Sequence, residues 1–493
     1  MTNKSRRVVG PFNRVEGDLE VQLEINTATV EKAWVVSPLY RGYEQILQGK
    51  SPLDSLVYVP RICGICSVSQ SVAAAQALAA LTGLQPEPNG ELATNLILAN
   101  ENLTDHLTHF YLFFMPDFAR DSYREEPWYE QAVARFKAVT GSASKHVLPA
   151  RAEFLHLMGL LAGKWPHSLA LQPGGTSRAI ESGEKARVVA TLYGFRQFLE
   201  ATLFGDSLES ITSLESEQAL HRWRNQFSPT HSDFCHFLHI AEQQDLHTLG
   251  RAYDRFMSYG VYHSQGQALF GPGVYDGPSQ QHSTLNQSAI AEDISHTWAH
   301  YNAQAQHPFN GETLPSLDNK NAYSWCKAPR LDGQPVEVGA LARQVVNSHP
   351  LFLDLVNNSG GNVRNRVIAR LVELAQVVIA MEKWAKQLRP KEPFCAEFVL
   401  PNEAQGFGMM EAARGSLGHW LTVKRGKIAN YQIVAPTTWN FSPRDSQGQP
   451  GALELALENT PLRPSEIGQE KKNPVAVQHI VRSFDPCMVC TVH

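Results

Sequence analysis

RICGICS at 61–67 and SFDPCMVCTVH at 483–493 are two C-x-x-C motifs at opposite ends of one chain of 493 residues. Cys63 and Cys66 form the first pair and Cys487 and Cys490 the second, with His493 three residues beyond the last sulfur. A single C-x-x-C reads as a redox dithiol or as half of a structural zinc site. Two of them favour one four-thiolate metal site, because each spacing lets both sulfurs face one ion. A structural zinc usually staples a short loop, whereas these pairs would tie together the two ends of a long chain. Soft thiolates also suit nickel, copper and iron. The other cysteines, Cys235, Cys326 and Cys395, are isolated and lack iron–sulfur ligand spacing. Seven cysteines, an odd and low count, argue against a disulfide-stapled secreted scaffold and for a reduced compartment.

Composition sets the outer bounds. Lys and Arg total 43 against 48 Asp and Glu, a net charge of −5, with 43% hydrophobic and 18% charged residues. That excludes a disordered chain and argues against nucleic acid as the main partner. No run approaches the roughly 18 apolar residues of a membrane span, and MTNKSRRVVGPF lacks the apolar core of a signal peptide.

Residues 19–37 alternate apolar and polar and predict two short strands. RGYEQILQGK at 41–50 predicts a short helix. The Ala-rich stretch 67–84 predicts a helix that stops at Gly83 and Pro86 and begins next to Cys66, where the helix dipole would stabilise a thiolate. Residues 90–114 and 362–388 predict further helices, the second with Val367, Leu371, Leu374, Val378 and Met381 on one face. Gly-, Pro- and Asn-rich stretches at 264–290 and 305–337 read as long loops. Short strands return from about 395, as AEFVL, HWLTVKR and KIANYQIVA. No compositional break divides the chain. The expected fold is mainly helical (α+β): a large helical bundle with small peripheral β-sheets, in a single domain over 1–493.

Taken together, the two signatures resemble those of the nickel–iron hydrogenase large subunit. RVEGD at 14–18, RGYE at 41–44, DHLTHFY at 105–111, PGG at 173–175, YSWCKAPR at 323–330, EVGALAR at 337–343, EAARGSLGHW at 411–420 and APTTWNFSPRD at 435–445 are similar to other stretches of that family. The resemblance implies a nickel held by four thiolates, with Cys63 and Cys487 terminal and Cys66 and Cys490 bridging to an iron that carries two cyanides and one carbon monoxide. It implies heterolytic cleavage of H2, with Glu16 as the proton-relay carboxylate. Arg414 would lie above the metals, Thr437 would donate to a cyanide, and Asp105 and Asp485 would pack around the arginine. A second site for Mg2+ or iron is implied at Glu44, His493 and the backbone carbonyl near Ile433. With four cysteines so used, the three isolated ones that are left cannot carry an electron chain, and the resemblance supplies an iron–sulfur small subunit as partner in a heterodimer.

Several positions depart from the family's energy-converting members. Asp18 replaces the usual His of R-x-E-G-H, Gln70 the usual His after C-G-x-C, Ile65 a Val, Phe113 a Leu and Ala413 a Pro. Ile65 and Phe113 are larger than their usual counterparts and would narrow an apolar gas channel, admitting H2 and hindering O2; neutral repacking is the plain alternative. These departures, and an end at His493 without the tail that most members are made with, resemble the regulatory, hydrogen-sensing subgroup. That reading brings a sensor histidine kinase as a further partner, a dimer of heterodimers, low turnover and a cytoplasmic location. The alternative within the family is an uptake hydrogenase large subunit serving a respiratory chain. Outside it stand a quinone-reductase-type subunit without metal and a four-cysteine zinc protein.

Overall fold

The computed structural model describes residues 4–300, 304–467, 473–491 and 493. Among the described residues helices dominate, and five small antiparallel sheets lie around them. Val363–Gln387 is a long helix buried along most of its length. It starts where the Asn362 side chain accepts the Asn365 N–H, satisfying one of the donors that a helix N-terminus leaves free. Pro88–Thr108 packs against it and is itself almost wholly buried. The predicted helix over 90–114 is therefore present to Thr108 and then widens into a π-helical turn, His109–Phe114.

The Ala-rich helix forms as expected, over Ser67–Ala80. Its composition has a packing reason. It lies across strand Ala404–Ala412 so closely that a Cβ added at Gly408 would meet the Ala73 carbonyl at 2.0 Å. Small side chains on both elements allow that approach, and larger ones would push the helix, with Cys66 at its head, away from the sheet.

Strands Glu20–Asn26 and Thr29–Val36 match the alternation at 19–37, and Lys4–Val9, which the pattern did not suggest, adds a third strand antiparallel to the first. Ala404–Ala412, Gly415–Lys424 and Lys427–Val434 form a second meander. Its outer strand comes after AEFVL at 396–400, which is irregular. The loop expected at 264–290 is corrected: Arg255–Ser264, Gln267–Asp276 and Gln281–Ser283 form a three-stranded sheet. The glycines there turn the chain between paired strands. Residues 305–337 are mostly irregular, with only Ala328–Leu331 as a strand.

The termini interlock. Met488 N–H donates to the Glu16 carbonyl at 2.7 Å, and Glu16 N–H to the Pro486 carbonyl at 3.4 Å. Arg482 donates to the Asn13 carbonyl (2.8 Å) and, with Arg14 and Arg120, surrounds the fully buried Asp117. These bonds carry the last cysteines to the first.

Candidate metal centre

Four thiols meet at that junction. Cys63 Sγ lies 3.4 Å from Cys487 Sγ, Cys66 Sγ 3.2 Å from Cys490 Sγ, and Cys487 Sγ 3.0 Å from Cys490 Sγ. All four sulfurs lie within 4.8 Å of one another and all four cysteines are buried. Burying four sulfurs against each other has no apolar rationale, and the donor set is that of a soft transition metal. The remaining cysteines, Cys235, Cys326 and Cys395, are free thiols outside this cluster.

Cys66 heads its helix as expected, but the dipole does not reach its sulfur through hydrogen bonds. The Val68 and Ser69 N–H groups both donate at 2.9 Å to the carboxylate of Glu101. That carboxylate also accepts from Ser69 Oγ (3.1 Å), Ser67 Oγ (3.3 Å) and Trp165 Nε1 (2.9 Å). Burial lifts Glu101 to about 7 in spite of these donors. The sequence gives no local hint of it, because Glu101 sits mid-helix in a stretch whose periodicity reads only as core.

Glu16 is half-buried in the segment paired with Cys487. Burial first, and then the charge of Cys63, raise it above the ordinary carboxylate range against the pull of Arg414. Arg414 is buried and shared by two carboxylates. It donates from Nη2 to Asp105 Oδ1 (3.0 Å) and Asp485 Oδ1 (3.1 Å) and from Nε to the Asp485 carbonyl (2.9 Å), while Nη1 lies 2.8 Å from Asp105 Oδ2. Burial pushes Asp105 up to about 8, with the Asp485 charge adding to it. Burial acts on Asp485 too, but Arg414, His109 and Arg370 hold it below its usual value. The Thr437 hydroxyl accepts the Cys487 N–H at 3.0 Å, which leaves its own proton to donate.

The second constellation also forms. Glu44 Oε1 lies 3.3 Å from His493 Nε2 and accepts the Ile433 N–H at 2.9 Å, and His493 Nε2 lies 2.8 Å from the Ile433 carbonyl. Lys327, Glu292 and Gln432 join it: Lys327 Nζ reaches Glu44 Oε1 (3.2 Å), Glu292 Oε2 (2.8 Å) and Gln432 Oε1 (3.1 Å). Two carboxylates against one ammonium leave a negative balance, and the buried Glu44 Oε2 and Glu292 Oε1 have no hydrogen-bond partner. Oxygen-rich and acidic, this set fits a hard divalent cation.

Of the remaining candidates, Ile65 stands between the first two cysteines, half-buried and packed on the core. Phe113 is half-buried in the π-helical turn, and its carbonyl accepts from Arg14 Nη1 at 3.0 Å. Gln70, in place of a histidine, is buried, and its Oε1 accepts from His419 Nε2 at 2.9 Å. Asp18 is exposed.

The family model described as nickel-dependent hydrogenase matches residues 41–121 and 142–493. The chain is 29% identical over 522 residues to the periplasmic NiFeSe hydrogenase large subunit of Desulfomicrobium baculatum, covering 98% of this chain and 94% of that protein. It is 26% identical over 585 residues to the uptake hydrogenase large subunit of Rhodobacter capsulatus, covering 99% and 95%. Among solved structures, the oxidized Ni-Fe-Se hydrogenase from D. vulgaris Hildenborough superposes with a TM-score of 0.84 at 28% identity, covering 100% of both chains. Where selenium enters those names, the four clustered positions here are all cysteine. A buried four-thiolate cluster built from both ends of the chain, a family match over most of the sequence and full-length similarity to hydrogenase large subunits agree: this chain belongs to the nickel-dependent hydrogenase family, as a large subunit.

Proposed function

We propose that this large subunit oxidises H2 as part of an uptake-type nickel–iron hydrogenase. The observation that carries the reading is the convergence of Cys63, Cys66, Cys487 and Cys490. A bound nickel–iron pair, its iron carrying cyanide and carbon monoxide, supplies the polarisation that splits H2 heterolytically and accepts its electrons. The chain's own residues do the rest. Cys63, Cys66, Cys487 and Cys490 would hold the pair. Glu16 takes up the released proton, since a carboxylate lifted toward neutral pH can both accept and pass one. Arg414 presents a guanidinium to an anionic iron–cyanide unit, Asp105 and Asp485 fix its orientation, and Thr437 donates its free hydroxyl proton to the same unit. Glu44, the Ile433 carbonyl and His493 would hold Mg2+ or iron as a second site. Electrons leave through an iron–sulfur small subunit.

The relatives named above are a NiFeSe enzyme and an uptake hydrogenase, which favours turnover over sensing. The sensing reading rests on the departures at Asp18, Gln70, Ile65, Phe113 and Ala413 and on the chain end described above, and neither a kinase nor a dimer of heterodimers is needed without it. A cytoplasmic location came with that reading, and one relative is named as periplasmic. Among the described residues, no helix is long and apolar enough to cross a membrane. H2-dependent dye reduction by the purified large–small complex tests the choice. Turnover in the ordinary enzyme range of about 1–10³ per second is expected, and turnover far below it would return the assignment to the sensing subgroup.

Two smaller predictions belong here. Replacing Ile65 by Val and Phe113 by Leu is expected to speed O2 inactivation severalfold; an unchanged rate would show that neither side chain narrows a gas path. Glu44→Gln is expected to lose the second-site metal on metal analysis and to lower the melting temperature by a few degrees while nickel remains.

A further inference from the structure

We infer that EVGALAR, residues 337–343, is the frame that holds Arg414, Asp105, Thr437 and Asp485 in register over the thiolates, with Arg343 as the positioning residue for Arg414. The inference rests on the role proposed above for Arg414, and it gives a role to a family-like stretch that touches no metal ligand itself.

All seven residues are buried. Arg343 directs five N–H groups at five acceptors. Nε donates to Glu373 Oε2 (2.9 Å) and Nη2 to Glu373 Oε1 (2.8 Å), while Nη1 donates to Glu411 Oε2 (2.9 Å). The last two bonds go to the backbone, to the carbonyls of Ala412 (2.9 Å) and Ala413 (3.1 Å). Those carbonyls immediately precede Arg414. An arginine has five such hydrogens, and here all are used: three on residues 411–413, which lead into Arg414, and two on Glu373. On the other side Glu373 Oε1 lies 3.1 Å from His106 Nε2, and His106 follows Asp105. One guanidinium–carboxylate pair thus grips the chain beside both members of the Arg414–Asp105 pair.

The rest of the segment grips the other two. Val338 and Asn440 exchange two hydrogen bonds, Val338 N–H to Asn440 Oδ1 (3.0 Å) and Asn440 Nδ2 to the Val338 carbonyl (2.9 Å). Asn440 closes the short helix Pro436–Asn440 that carries Thr437. Glu337 accepts from Arg366 Nε (2.7 Å) and Nη2 (2.8 Å), and the Arg366 guanidinium lies 3.7 Å from the ring centroid of Phe484, the residue before Asp485. Asp485 itself sits in the left-handed region at φ 57°, closing the helix Val475–Phe484, a conformation that Asp adopts more readily than most residues. Close approach completes the frame: a Cβ at Gly415 would lie 2.6 Å from the Gly339 N, so the two backbones touch directly beside Arg414.

A buried ion pair is by itself weak evidence of anything beyond core structure. What sets these apart is where their partners lie, at Ala413, His106, Asn440 and Phe484, each on the segment that presents one of the four side chains. Lysine cannot reproduce the fork, having three donors on a single nitrogen.

The test is a double-mutant cycle on the purified large–small complex, comparing Arg343→Lys, Arg414→Lys and both together. It reads nickel and iron content, H/D exchange and the cyanide infrared bands. Arg343→Lys is expected to keep its metals, to lose roughly 10- to 100-fold in exchange rate, and to move the cyanide bands in the same direction as Arg414→Lys. The double variant is expected to be no slower than Arg414→Lys alone, because a residue acting through Arg414 has nothing left to position. Multiplying losses, or unchanged bands and rate in Arg343→Lys while Arg414→Lys is impaired, would overturn the inference and leave the role of Arg414 standing. A silent Arg414→Lys would instead overturn that role and the frame with it. If Arg343→Lys yields no metal-loaded complex, Glu373→Gln, which keeps the shape and removes the carboxylate clamp, takes its place with the same outcomes.

Discussion

Cys487→Ser is expected to strip nickel from the purified large–small complex and to bring H/D exchange down to background. The substitution changes one atom and little volume, so the core around residues 484–491 should survive. What it removes is a soft, ionisable donor: a serine hydroxyl stays protonated where a thiol becomes thiolate, and its oxygen is a poor partner for nickel. Cys487 Sγ touches both Cys63 Sγ and Cys490 Sγ, and the Cys487 N–H is tied to Thr437. A serine there would leave the other sulfurs in place with one coordination position unfilled. Metal analysis and H/D exchange on the same preparation check it. Wild-type nickel content with wild-type exchange would remove Cys487 from the ligand set.

Glu16→Gln is expected to keep nickel and iron and still lose roughly 10²- to 10⁴-fold in H2 oxidation, the usual contribution of a positioned proton-transfer group. The amide matches the carboxylate in shape, so binding of the metals is untouched, but it cannot accept a proton. The pH dependence follows from the direction of the shift. Burial and the Cys63 charge place Glu16 above the ordinary 4.5. In the direction of H2 oxidation Glu16 must be ionised to accept a proton, so activity falls as pH drops through its raised pKa. That acid limb therefore begins at a higher pH than an ordinary carboxylate would give. In Glu16→Gln the limb should vanish along with most of the rate. An unchanged acid limb in the variant would assign it to another group.

How much of this was legible beforehand differs by residue. The thiolate ligands were readable because chemistry fixes both their type and their spacing, and two C-x-x-C pairs in a chain otherwise poor in cysteine favour one shared metal site over separate redox dithiols. The helix at 67–80 and the hairpin at 20–36 were readable because local periodicity and stop signals dominate there. The sheet at 255–283 was not, since its glycines and prolines look like loop punctuation until the strands they separate are seen to pair. Glu101, Lys327, Glu292 and Arg343 were invisible for a different reason. Each is a charged residue whose partners lie dozens to hundreds of positions away, and no pattern along the chain records such a pairing. That the N–H groups beside Cys66 bond to Glu101 and not to its sulfur was hidden for the same reason, because Glu101 arrives from the neighbouring helix.

The most direct test of the dinuclear centre is nickel-edge X-ray absorption on the purified large–small complex, with total metal analysis of the same sample. Nickel and iron in equal amounts beyond the small subunit's iron, with nickel in a shell of sulfur and an iron atom as its next neighbour, is the expected result. Zinc filling the four thiolates, or nickel with no adjacent iron, would contradict it.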